Sequence, residues 1–535
     1  MNVSTAISVL GGVGLFLLGM SIMTNGLKAL AGSGLRATLS KAAATPLSGT
    51  FWGAFVTLIV QSSSATTMTT IGLVSAGLLT FSQGLGLVFG ANIGTTGTAW
   101  LIALIGVRVS LTAAALPMIF LGALVMLLGR GRVSAAGAAL AGFALVLFGL
   151  TTLQQGMGGL AEQLHPSNLP AIFGAGVSWW SSVLGVLTLV VVGLAMTAVM
   201  QSSTAAVAVT LSANFAGAIG LDQACALIIG QNIGTATSSA LAAIGASRTA
   251  QRLALAYIFF KVIAAVIALV LFPVTIPLLV HASNTVDGVT LLAGYHTAYN
   301  VVGVAVLLPL IHRFTGFVER VLPERGSPLT RTLDPAALLT PLAAEEAVRR
   351  TVARSLATMC ESIGATLART KKAAVTVTEA GDALSQAQKF IAEASGPPES
   401  QVEQERLTCT LHALDHASRL AEVAAQKDEL ASTPIGSEET RAAELCAQAM
   451  QNAVLIAGDV GALPDAPHQP PSVDEKAMVQ LEACAKTLGE LQPAYRKATL
   501  SSVASGALNA EQAIARVDTF RWLEALARHA WRSGA

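Results

Sequence analysis

Charge is what this sequence has least of. Only 12% of its 535 residues are Asp, Glu, Lys or Arg, against 53% hydrophobic, where a soluble domain carries about 25% charged residues. That balance, with a mean hydropathy of +0.63, excludes a chain that is soluble throughout. The shortage is uneven: nine Lys/Arg and three Asp/Glu precede Arg313, whereas 23 and 28 lie from Arg313 onward. A bilayer-embedded region followed by a soluble one is the expected organisation. No Lys/Arg run and no basic stripe interleaved with aromatics accompany the net charge of +1, so no nucleic-acid partner is expected. The five cysteines, Cys225, Cys360, Cys409, Cys446 and Cys484, are widely spaced and form no CxxC pair. Neither a disulfide framework nor a zinc site is indicated, and a reducing compartment suits the soluble part. No basic residue precedes Lys28, so the positive n-region of a secretory signal is missing and the N-terminal segment is expected to stay as a first span. Neither a nucleophile–base pair nor a P-loop nor a metal-ligand cluster is present, so the chain is not expected to be an enzyme, and no cofactor is expected.

What the sequence does have is long apolar runs. Segments of about 20 apolar residues, enough to cross about 30 Å of hydrocarbon, fall near 5–27, 83–105, 111–129, 134–155, 220–245, 253–280 and 289–312. Between the first two lies 50–80, too long for one span and short for two. It reads as a re-entrant hairpin, whose non-helical tip is tolerated at membrane depth only when buried in protein or lining a cavity. With the N-terminus outside, the inner loops hold Lys28, Arg36, Lys41, Arg130, Arg132, Arg248, Arg252, Arg313 and Arg320 and the outer ones only Arg108. Lys/Arg bias of this kind sets orientation. Glu162, Asp222 and Asp287 then face outward, and everything after Arg313 is cytoplasmic.

The chain repeats itself. "QSSSATT" at 61 is matched by "QSSTAAV" at 201, and "GANIGTTGT" at 90 by "GQNIGTATS" at 230, both at an offset of 140. Upstream, "GLFLLGM" at 14 is echoed by "ALVLFGL" at 144. The repeat units are about 11–110 and 141–250. Three crossings separate equivalent points, so the second copy is expected to be inverted, the plan of many secondary transporters. The run "WWSSVLGVLTLVVVGLAMTAVM" at 179–200 belongs to the second hairpin in this reading, although it is long enough to span by itself.

A lone pair of hydroxyl residues in a membrane helix usually packs helices together. Here Gln-Ser-Ser-(Ser/Thr) recurs at one distance from Asn-Ile-Gly-Thr, which packing alone does not demand. A broken helix offers an anion the N-terminus of its second arm, near Thr66 or Ala205, with about +0.5 charge. It offers a hard cation the carbonyls ending its first arm, near Val60 or Met200. Ser, Thr, Asn and Gln add neutral donors and acceptors, and the glycines of GANIGT and GQNIGT are expected to allow close backbone approach. The spans hold no mid-membrane carboxylate, which argues against the usual proton relays. Lys261 is the one basic residue well inside a span, and a structural role, snorkelling or pairing, is expected of it. Two helix N-termini supply about one positive unit, too little for a doubly charged oxyanion, and co-bound cations would supply the rest. Binding of the two would then be cooperative, as coupled transport requires.

At these residues the sequence resembles the type II sodium-phosphate cotransporter family, whose mark is a duplicated QSS(S/T) motif followed by a GxNIGT-type stretch. The likeness covers about 1–315. It implies an all-α polytopic membrane protein with inverted repeats and two re-entrant helical hairpins in the cell (inner) membrane, moving inorganic phosphate by alternating access with sodium as coupling ion. By the resemblance, Gln61, Ser62, Ser63, Ser64 and Thr66, with Gln201, Ser202, Ser203 and Thr204, line the phosphate and sodium sites, and Asn92, Thr95, Thr96, Asn232 and Thr235 complete them. Gln231 stands where the first copy has Ala91, and Ala205-Ala206 where it has Ala65-Thr66, so the halves need not bind the same ions. Neutral donors alone leave two alternatives open, a carrier of sulfate or a dicarboxylate, and a phosphate-sensing receptor.

From about 341 the pattern becomes charged amphipathic helix, as in "EEAVRRTVARSLATMCESIGATLART", with apolar residues three and four apart. Breaks at "SGPPES" and "LPDAPHQPPSV" divide a helical bundle over 341–535, joined to the membrane domain by a linker at 316–340. "ALDHASRL", with Asp415 and His416, and "LARHAWRS", with Arg528 and His529, resemble the end-of-helix signatures of a PhoU-like domain. Such a domain is a regulatory or interaction module, suited to a regulatory protein or a homo-oligomer. Relatives of PhoU hold metal at acidic clusters, but Arg528 replaces the usual Asp.

Overall fold

A computed structural model describes residues 3–106, 112–161, 170, 179–244, 246–323, 327–368, 377–394, 396–398, 400–426, 437–461 and 474–534. Among these residues the chain is all-α, without strands. Arg108, Glu162 and the 463–473 break lie outside the described residues, as do residues 395 and 399 of "SGPPES". Two compact units form, one of Met1–Ile71 with Phe81–Glu324, the other of Gly72–Thr80 with Arg325–Ala535.

The first unit contains α1 (Val3–Ala42), α2 (Pro46–Val60), α3 (Ser63–Ser75) up to Ile71, α4 (Phe81–Gly94), α5 (Gly97–Leu101) with a π-helical turn at Ile102–Gly106, α6 (Thr112–Leu128) and α7 (Arg132–Ala161). It continues with α8 (Trp179–Met200), α9 (Ser203–Phe215), α10 (Leu221–Ala242), α11 (Arg248–Ala282), α12 (Gly288–Leu307) and α13 (Ile311–Val321). Among the described residues six stretches are long and apolar enough to cross a membrane: Val3–Ala31, Phe81–Leu104, Arg132–Gly159, Trp179–Met200, Arg248–Ala282 and Gly288–Val321. The expected spans at 5–27, 134–155, 253–280 and 289–312 fall within four of them, and that at 83–105 overlaps Phe81–Leu104 to within one residue. The expected span at 111–129 is α6, a helix of 17 residues, and that at 220–245 is α10, which "QNIGTATSS" makes too polar to qualify. The sixth stretch is α8, 22 residues long where its counterpart α2 has 15.

Glycine decides how these helices meet. The first helices of the two repeats, α1 and α7, lie against each other along Gly12, Gly19 and Gly26 of one and Gly142, Gly149 and Gly156 of the other. A Cβ on Gly142 would come 2.2 Å from the Met23 nitrogen; small residues at a regular interval let membrane helices approach this closely. Within each repeat the first arm packs on the GxNIGT helix, α2 on α4 and α8 on α10. A Cβ on Gly90 would lie 2.0 Å from Thr50 O, and one on Gly230 1.9 Å from Val190 O. These motif glycines therefore seat the first arm. The close backbone approach expected of them is to a neighbouring helix.

The second unit is built from α14 (Pro341–Leu367), α15 (Val377–Ala392), α16 (Gln401–Ala425), α17 (Ser437–Gly461), α18 (Glu475–Ala504) and α19 (Ala510–Gly534). Their apolar faces share one core through Met359, Leu384, Leu420, Met450, Leu481 and Leu526. A charged network is buried with them. Glu346 accepts from Arg349 at 2.7 and 2.9 Å, Arg350 at 2.7 Å and Arg406 at 2.9 Å, while Glu345 accepts from Arg406 and Thr410, both at 2.7 Å. Burial pushes the Glu346 carboxyl up, but Arg349 and Arg350 together outweigh it and hold it below the usual range. Glu345, buried beside it with less cationic support, is pushed up.

His416 and His529 meet in this unit, with their Nδ1 atoms 3.1 Å apart. Burial, then Arg528 and His416, push the His529 imidazole down to about 4, and burial and His412 lower His416. Asp415 and Arg528 turn to Arg419 at 3.1 Å and Glu524 at 3.3 Å. Among the described residues no three His, Cys, Asp or Glu side chains gather as metal ligands.

Candidate functional site

Both helix breaks have one geometry. The first arm of each broken helix ends at Val60 or Met200, and the next residue, Gln61 or Gln201, turns left-handed with φ of 56° and 50°. These are the only non-glycine residues with positive φ among those described. A side chain in that region costs about 1–2 kcal/mol, and such strain clusters at functional positions. The glutamine side chain holds the turn in place. Its Nε2 donates to a carbonyl of the preceding turn, Leu58 O or Ala198 O, and its Oε1 accepts from Thr98 or Ser238 on the GxNIGT side. Thr98 and Ser238 are themselves separated by the repeat offset of 140. The following serine caps the second arm: Ala65 N donates to Ser62 Oγ at 3.3 Å and Ala205 N to Ser202 Oγ at 3.2 Å.

Seven of the residues singled out from sequence line one small cavity: Ser63, Asn92 and Thr95 of the first repeat with Ser203, Thr204, Asn232 and Thr235 of the second. Its volume is about 10 Å³, near the minimum for one water. The remaining candidates lie around it. Gln61, Gln201, Ser62 and Ser202 form the breaks, and Ser64 is exposed. Thr66 is buried with its Oγ1 2.9 Å from that of Thr57, and Thr96 donates to Ile93 O at 2.7 Å.

The two sequence departures between the repeats answer each other. Ala206 replaces Thr66, so the second copy lacks the threonine pair, and Thr197, equivalent to Thr57, has no partner for its hydroxyl. Gln231, in the place of Ala91, supplies a different link: its Nε2 donates to Ala206 O at 3.0 Å and Thr210 Oγ1 at 2.6 Å. Each copy thus ties its second arm down by buried polar contacts, one in the first and two in the second, made from different residues.

Three lining residues lie outside the repeats and carry no motif: Tyr257 and Lys261 of α11 and His296 of α12. The Tyr257 hydroxyl sits 3.1 Å from Asn92 Oδ1 and 3.2 Å from Thr235 Oγ1, so it bridges the repeats. Lys261, 2% exposed, donates to Asn232 Oδ1 at 2.6 Å. The structural role expected of Lys261 is here a contact with a motif residue at the cavity. Asn232 Nδ2 and His296 Nδ1 are buried without a hydrogen-bond partner. The sequence signal for Lys261 was its isolation as an intramembrane charge; for Tyr257 and His296 there was none.

Comparison with known proteins follows the same division of the chain. The family model described as "Na+/Pi-cotransporter" matches residues 15–155 and 182–285, which contain both breaks and both GxNIGT stretches. The "Uncharacterized protein YqeW" of Bacillus subtilis (strain 168) is 28% identical over 315 residues, 58% of this chain and 96% of that one. The "Putative inorganic phosphate export protein YjbB" of Escherichia coli (strain K12) is 28% identical over 361 residues, 65% of this chain and 62% of its own length. The chain thus spans about three-fifths of the export relative. "Sodium-dependent phosphate transport protein 2A" of Oryctolagus cuniculus is 43% identical over 61 residues, 11% of this chain and 10% of that protein. No solved structure matches. With the duplicated motif gathered at one cavity inside apolar helices, the chain is a membrane protein whose residues 15–155 and 182–285 match the Na+/Pi-cotransporter family, a family of transporters.

Proposed function

We propose that the chain carries inorganic phosphate across the inner membrane, coupled to sodium, by alternating access at the cavity between the two motif copies. The observation that carries this reading is the convergence of equivalent residues, Ser63 with Ser203, Asn92 with Asn232 and Thr95 with Thr235, on one site. The N-terminal ends of α3 and α9 add about half a positive charge each. Their hydroxyls and amides, with Gln61, Ser62, Ser64, Thr66, Thr96, Gln201 and Ser202 shaping the tips, serve as neutral ligands for phosphate and sodium. A cavity of about 10 Å³ is smaller than an oxyanion, so phosphate enters by parting the surrounding side chains, as alternation between open states requires. The two broken helices act as re-entrant hairpins, the helical unit of 341–535 is cytoplasmic, and its role is regulatory, as in a PhoU-like domain that meets a regulatory protein or a second copy.

Radiolabelled phosphate flux in proteoliposomes, with and without a sodium gradient and with sulfate and succinate as competitors, tests the reading. Sodium-dependent flux blocked by unlabelled phosphate alone is expected; flux indifferent to sodium refutes the coupling. The name of the Escherichia coli relative favours outward movement, so the same vesicles should be loaded from either side.

A further inference from the structure

Lys261 is an ionisable amine in a place where membrane proteins avoid one. It is buried on α11, no carboxylate among the described residues lies within ion-pair distance of it, and its nitrogen contacts the Asn232 amide oxygen at 2.6 Å and the faces of the Tyr257 and Phe260 rings at 5.4 and 5.9 Å from their centroids. An intramembrane cation normally pairs or faces a water-filled path, and burying a charge without a partner is expensive. The groups around it repeat the same imbalance. Asn232 gives its oxygen to the ammonium and leaves its Nδ2 buried with no acceptor. The cavity therefore holds one ammonium and one amide donor that lack an anionic acceptor, beside Ser203, Thr204 and Thr235.

We infer that Lys261 is a fixed cation of the oxyanion site, set on the side of the second repeat and standing in for one co-bound sodium. This rests on the phosphate reading above and deepens it. Doubly charged phosphate needs about two positive charges nearby to be held in a low-dielectric site. The helix N-termini supply about one, and the ammonium supplies another. Phosphate then binds with one sodium fewer than a site of neutral groups would need. Lys261 also repels sodium from the Asn232 side, which leaves the first-repeat side, Ser63, Asn92 and Thr95, for the cation that remains. The held ammonium is common to every state of the carrier, so it does not have to be reloaded at each cycle, whereas a sodium does.

The test is equilibrium binding of radiolabelled inorganic phosphate to the purified full chain in detergent, as a function of sodium against a choline background. Wild type is expected to bind phosphate in choline, with sodium strengthening the binding. Lys261→Gln is expected to lose phosphate affinity at least tenfold and to depend on sodium more steeply, by about one ion. Lys261→Arg, which keeps the charge, should restore most of the affinity. Asn232→Asp guards against misfolding of the glutamine variant: it is nearly isosteric and places a carboxylate on the ammonium, so it should also weaken phosphate binding. Lys261→Gln that binds phosphate as wild type does, with an unchanged sodium dependence, overturns the inference while leaving the phosphate reading intact. Wild type that binds no phosphate at any sodium concentration overturns both.

Discussion

Replacing Gly230 by alanine should separate the two helices that position the second motif copy. The added Cβ would lie 1.9 Å from Val190 O, 2.7 Å from Val190 C and 2.9 Å from Leu194 N, all backbone atoms of α8. No rotamer change relieves such a contact. To reach an ordinary separation of 3.4 Å, α8 must withdraw by about 1.5 Å, and forced overpacking of this kind costs about 1–3 kcal/mol or more. The withdrawal cannot be local, because Gly193 against Leu227 O and Gly234 against Thr197 fasten the same pair of helices on either side. It also carries Met200 and the Gln201 turn away from Ser238, the partner of the Gln201 side chain at 2.8 Å. Gly294→Ala in α12 is the control, since a Cβ there meets nothing within 4 Å and alanine is the better helix former by about 1 kcal/mol. Thermal unfolding of both variants in the same detergent should show a lowered midpoint for Gly230→Ala and an unchanged or raised one for Gly294→Ala. Phosphate flux should fall only in the former. Equal midpoints would refute the close packing of α8 on α10.

Thr66→Val removes the buried bond to Thr57 and should cost about 1–2 kcal/mol; Gln231→Leu, which strands Thr210 and Ala206 O, should cost at least as much. Thermal midpoints of the single and double variants should add, because the two ties lie in different repeats. In the helical unit, Glu346→Gln leaves Arg350, 1% exposed, without its counter-ion and should destabilise by about 3–5 kcal/mol, measured by urea unfolding followed by circular dichroism. The His416–His529 pair makes the same unit acid-sensitive. Both imidazoles bind protons less readily than the usual value of 6.5, His529 only near 4. The unfolded chain therefore holds more protons between these values, so stability is complete above about 6.5 and falls as pH drops towards 4. His416→Gln/His529→Gln should flatten the thermal midpoint across that window, and an unchanged slope would mean that other groups set it.

Sequence alone gave access to whatever the two repeats hold in common, because a residue type recurring at one offset is a signal independent of structure. Both breaks, both Asn-Ile-Gly-Thr stretches and the pairing of Ser63 with Ser203 were legible in this way. It could not say which helix each motif residue faces. The glycines of GANIGT and GQNIGT are as suitable for seating a helix as for admitting a ligand, and only the contact of Gly90 with Thr50 and of Gly230 with Val190 decides it. Gln61 and Gln201 are ligand candidates by the family resemblance. Their left-handed backbone and their bonds to Thr98 and Ser238 show in addition that they brace the break.

What lay beyond the sequence reading is the asymmetric part of the site. Compensation between Thr66 and Gln231 is invisible in one dimension, since the two residues occupy different positions of the repeat and only their shared effect, tying down a second arm, relates them. Tyr257, Lys261 and His296 come from α11 and α12, which carry neither duplicated motif. Tyr257 touches both copies, but the ammonium touches only the second. A duplicated chain gives two equivalent half-sites, and equivalent halves cannot distinguish an anion from a cation. One unduplicated amine beside Asn232 adds to the differences between the repeats themselves, where Thr204 lines the cavity and Ser64 is exposed, and removes that equivalence.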